Sequence, residues 1–79
     1  MTYNLFEEVV LLKDIDEKGL KKGDIGTVVE HHPVKGGKDG YSLEVFNALG
    51  ETIGVITVSE SEIAPLTEKE ILSVRRLAV

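Results

Sequence analysis

Gly19, Gly23 and Gly26 crowd into the short stretch around Leu20-Lys21-Lys22-Gly23-Asp24-Ile25-Gly26-Thr27-Val28. Gly23 is placed for a positive φ in a turn, and Asp24 can accept bonds from backbone amides beside it. Gly26 falls inside the following β-branched run, Ile25–His32. A glycine there marks a bulge, a sharp bend or a close backbone contact. Small barrels need such bends to curl a short sheet onto itself. The segment predicts a tightly turned, mostly β chain.

The rest of the chain agrees with that reading. Val9-Val10-Leu11-Leu12 is an unbroken apolar run, expected to be a strand buried on both faces. Met1–Asn4 before it reads as a short leader. Asp16–Gly19 is a polar loop. His32-Pro33 ends the second strand, and Lys35–Gly40 is a flexible hairpin connection. In Tyr41-Ser42-Leu43-Glu44-Val45, the alternation sends Tyr41, Leu43 and Val45 inward and Ser42 and Glu44 outward. Ala48–Glu51 is a tight turn, and Thr52–Val58 is a fourth strand with a bend at Gly54. Ser59-x-x-Glu62 is a capping pattern for one helical turn. Ile63–Leu66 is a short last strand, set at an edge by Pro65. The tail, residues 67–79, opens with a second capping box, Thr67 and Glu70, and a short helix over Glu68–Ser73 is favoured over a strand.

This order resembles SH3-like barrels: five short strands, an early bend glycine, and one helical turn before a short final strand. Leu20–Val28 is similar to the glycine-centred turn of bacterial KOW-type domains. Val9-Val10-Leu11, Gly23-Asp24-x-Gly26-Thr27-Val28-Val29, Tyr41-x-x-Glu44-Val45-Phe46 and Val58-x-x-x-x-Ile63-x-Pro65-Leu66 resemble the family catalogued as domain of unknown function 4926. The likeness runs over about residues 5–76. Seventy-nine residues mean a single domain over 1–79, and the likeness implies an all-β five-stranded SH3-like barrel at about 5–66 with one short helical turn and a short C-terminal extension at 67–79. It also implies a small bacterial accessory or antitoxin-like protein, and it supplies no catalytic residues.

Composition narrows the function classes. The 79 residues contain no cysteine, so disulfides, thiolate metal sites and cysteine nucleophiles are excluded. That absence, with no apolar run near the ~20 residues of a membrane helix, leads to the expectation of a cytoplasmic protein without membrane association. The net charge is −5, and nucleic-acid binders usually carry a basic patch. Nucleic acid is therefore a disfavoured partner. The basic candidates are Lys21 and Lys22 in the first loop and Lys35 and Lys38 in the hairpin, which make one basic edge only if the loops meet. Acids interleave with them, so a solvated surface is the preferred reading.

No constellation points to catalysis. His31 and His32 are strand neighbours facing opposite ways, so they cannot chelate one ion. The glycine loops lack the Ser/Thr and the following helix of a phosphate loop. Carboxylate pairs such as Glu60/Glu62 lack an apolar setting that would raise one pKa. The expectation is a non-enzyme without cofactor or metal. Ile71, Leu72, Val74 and Leu77 put more apolar surface in the tail than a tiny core needs. They lead to a protein-binding module, in its sharpest form an antitoxin or immunity-like partner of a neighbouring gene product. Two rivals stand beside it: RNA or ribosome binding through the lysine loops, and a homodimer joined by the tail.

Overall fold

Strand-forming runs separated by glycine turns give an all-β structure. The computed structural model describes residues 2–77. The elements are β1 (Glu8–Leu11), a 3-10 turn (Asp16–Lys18), β2 (Ile25–His32), β3 (Gly40–Phe46), β4 (Thr52–Ser59), a second 3-10 turn (Glu60–Glu62) and β5 (Ile63–Pro65). All pair antiparallel in one sheet of order β4-β3-β2-β1-β5.

Connectivity forces this sheet to curl. β4 and β5 are opposite edges, yet only Glu60–Glu62 separates them. Five flat strands would hold those edges about 19 Å apart. Four Cα steps reach at most about 14 Å. Curling brings β4 and β5 onto one core, where Ile56 and Val58 join Val9, Leu11 and Ile63. The sheet remains open, with no β4–β5 ladder among the described residues.

Two bulges add twist. One interrupts β2–β3 pairing between Val28 and Glu30, and the other interrupts β3–β4 pairing between Val45 and Phe46. The bend expected at Gly54 lies beside this second bulge. Gly26 serves close approach: a Cβ there would lie 3.0 Å from Leu43 Cβ.

Several expectations need correction. β1 is not fully buried on both faces: Val9 and Leu11 enter the core, Val10 is half-buried and Leu12 is exposed. Ser42 is buried rather than outward and solvated. Its Oγ lies 2.7 Å from His32 Nε2 and 3.4 Å from Thr57 Oγ1, so polar neighbours cover it. Residues 67–73 form no helix. Thr67 and Glu70 bond each other in a single turn, and a helix this short has too little to stabilise it without a packed face.

Tyr3 is no part of a leader. It is buried, its amide donates to Tyr41 Oη at 3.1 Å, and its hydroxyl donates to the Ile63 carbonyl at 3.4 Å. The rings of Tyr3 and Tyr41 meet edge to face at 5.3 Å. The capping box on the second 3-10 turn forms as expected, with Glu62 accepting from the Ser59 amide at 2.8 Å.

Candidate functional site

The Leu20–Val28 segment positions one wall of an open groove. Gly19 and Gly23 hold φ of 69° and 96°, the left-handed conformation that turns the chain into β2. Asp24 then accepts from the Lys21 amide at 2.8 Å, while Asp14 accepts from the Lys22 amide at 2.8 Å. The second role of Asp24 carries no signature in the sequence. Arg75 Nε donates to Asp24 Oδ1 at 2.8 Å and Arg75 Nη2 donates to Oδ2. The same nitrogen donates to the Gly19 carbonyl at 3.1 Å. The planar fork of arginine matches a carboxylate in this two-pronged way. It holds the Asp24 carboxyl below its ordinary range, with help from the Lys21 amide, and raises the Arg75 guanidinium in turn.

Arg75 thereby moors the tail beside the outer face of the sheet. A groove of about 840 Å³ opens between them. Val10, Ile25, Phe46 and Ile53 of the sheet line it together with Ile71, Leu72 and Val74 of the tail. The tail candidates do not pack into the core. Ile71 is 91% exposed and Val74 94%, while Leu72 is also mainly exposed and Leu77 partly so. Burying each such side chain is worth about 1.5–3 kcal/mol.

The lysines are not brought together. Lys21 and Lys22 precede β2, and Lys35 and Lys38 follow it. The eight-residue strand that lies between the two pairs is about 26 Å long. Lys21 is also paired with Asp16 at 3.2 Å. His31 and His32 diverge as expected. His31 stacks on Tyr41 at 4.8 Å and bonds Asp39 at 2.7 Å, whose carboxyl is lowered chiefly by the Val34 amide and also by His31. No metal-binding group of three His, Asp or Glu occurs among the described residues.

A second, smaller cleft of about 310 Å³ lies between Thr57-Val58 of β4 and the loop Lys13–Glu17. Glu62 closes it, paired with Lys13 at 2.6 Å and lowered by that bond. Among the described residues, no helix is long and apolar enough to cross a membrane.

A sequence model of the family described as Domain of unknown function (DUF4926) matches residues 5–65. The chain belongs to this family. No curated protein and no solved structure matches it. The DUF4926 match takes in the sheet and the Gly23-Asp24 turn. Arg75 and the apolar tail residues lie beyond the matched segment.

Proposed function

We propose that this chain is a non-catalytic protein-binding module built on an SH3-like barrel, with the antitoxin or immunity-like role as its sharpest form. The strand order, the curl forced by the three-residue link, and the final strand returning beside β1 support the barrel reading. One observation carries the binding reading: Arg75 holds the tail so that Ile71, Leu72 and Val74 stay in solvent beside an apolar groove. A tail that merely completed the core would bury them. Contiguous exposed apolar surface of this kind marks an interaction site. The acidity of the chain, net −5, suits a partner with a basic face.

The test is quantitative co-purification of the tagged chain with the product of its neighbouring gene. The comparison is with an Ile71→Ser/Leu72→Ser/Val74→Ser variant. The expected result is a stoichiometric complex that the triple variant loses while its thermal unfolding stays unchanged. No complex, or a complex retained in full by the triple variant, overturns the reading. The lysine pairs stand at opposite ends of β2, and Lys21 is already paired with Asp16, so the RNA alternative draws no support from them.

A further inference from the structure

β4 is an edge strand whose own sequence carries none of the usual protection. Its sequence, Thr-Ile-Gly-Val-Ile-Thr-Val-Ser, contains no charge and no proline across eight residues. Natural edges are ordinarily blunted by lysine, proline, short length or a covering element. Here the outer side of β4 pairs with no strand among the described residues.

The backbone polarity of that edge follows from its far end. The Glu60 amide donates to the Asp39 carbonyl, so position 60 points its backbone toward β3. Backbone direction alternates along an antiparallel strand. Val58, Ile56 and Gly54 therefore also bond β3, and Val55 and Thr57 present their N–H and C=O outward. Their side chains are exposed as well.

Charge decides the occupant. The cleft beside Thr57 is lined by one lysine, Lys13, and four carboxylates, Asp14, Asp16, Glu17 and Glu62. Glu62 is paired with Lys13 and Asp16 with Lys21, so the uncompensated negative charge of the cleft rests on Asp14 and Glu17. A second copy of this chain fits poorly. The β4 strand of a second copy carries no lysine or arginine to place in the cleft, and its flanking residues Glu51 and Glu60 are themselves acidic.

We infer that β4 accepts an extended, lysine- or arginine-bearing segment of a partner protein as a sixth antiparallel strand, its basic residues entering the acidic cleft. Main-chain bonds to Val55 and Thr57 give affinity, and the carboxylates give direction and selectivity. The inference rests on the protein-binding reading, but on a different surface from the groove.

The test uses a synthetic capped peptide alternating valine and lysine, with a valine–glutamate counterpart, on the 15N-labelled full chain. The expected result is slowed hydrogen exchange at the Val55 and Thr57 amides with the lysine peptide only. Removing two charges, Asp14→Asn and Glu17→Gln, should weaken binding roughly fivefold at low salt. Added salt should weaken it further, and the triple tail variant should bind as wild type does. Exchange unchanged at Val55 and Thr57 overturns the inference, as does equal binding of the glutamate peptide. Concentration-dependent protection of these amides in the free protein would assign the edge to a second copy and equally overturn it. Because the tail variant is silent here and decisive for the groove, the two readings fail separately.

Discussion

Gly26 offers a sharp test of the packing argument, because its twin experiment at Gly54 has the opposite sign. A methyl group built at Gly26 would sit 3.0 Å from Leu43 Cβ and 3.1 Å from its Cδ1. Carbon atoms pack best at about 3.5–4.0 Å. Leu43 is fully buried, and both Cβ atoms are fixed by backbone, so rotamer changes cannot relieve the contact. Strands β2 and β3 would have to part. Overpacking of this kind costs about 1–3 kcal/mol. Replacing glycine also restricts the unfolded chain, which returns about 0.4–1 kcal/mol. Gly26→Ala should therefore destabilise by about 1–2 kcal/mol net, lowering Tm by roughly 5–15 °C in a domain of this size. At Gly54 an added Cβ meets nothing within 4 Å, and the residue is not at positive φ. Gly54→Ala should raise stability by about 0.5–1 kcal/mol. Urea unfolding by far-UV circular dichroism reads both, with midpoint shifts of opposite sign at unchanged slope. Two substitutions shifting the midpoint in the same direction would refute the reasoning.

Two further outcomes are expected from the geometry. Tyr3→Ala should cost about 3–5 kcal/mol, a large fraction of what a small domain has, while Tyr3→Phe should cost only about 1 kcal/mol. Calorimetry of the pair separates ring burial from the bond to the Ile63 carbonyl. The Asp24 carboxyl, held low mainly by Arg75, contributes stability above its ordinary value of 3.8 and loses it as pH falls through the lower folded-state midpoint. Carboxyl NMR titration should find that midpoint below the ordinary value, and Arg75→Gln should move it upward; no movement would remove the clamp.

Strands are legible because each carries its own signal. β2, β3 and β4 are β-branched or alternating runs bounded by Gly, Pro or Asn, and Ser59 and Glu62 announce their turn by spacing alone. The features that escape a sequence reading depend on partners distant along the chain. Tyr3 is one aromatic among polar neighbours, and only Tyr41 and Ile63, far along the chain, make it core. Ser42 obeys the alternation in direction, yet His32 and Thr57 cover it. The Thr67–Glu70 box is locally satisfied without a helix, so the motif cannot decide the conformation of the residues after it. Arg75 has no local pattern to single it out. The clue is Asp24 in a glycine turn, a carboxylate with room for a cation. The lysine loops are legible as clusters, but their separation depends on how β2 runs between them.

The three-residue link between β4 and β5 also orders events during synthesis. β1 gains β2 as soon as the first turn closes, but its other neighbour consists of the last residues of the sheet. At about 5–20 residues per second, roughly 3–10 seconds separate the making of Leu11 from that of Pro65. For that interval the outer edge of β1 has no strand to pair with. The nascent sheet is vulnerable at its first strand, and Ile63–Pro65 ends that exposure.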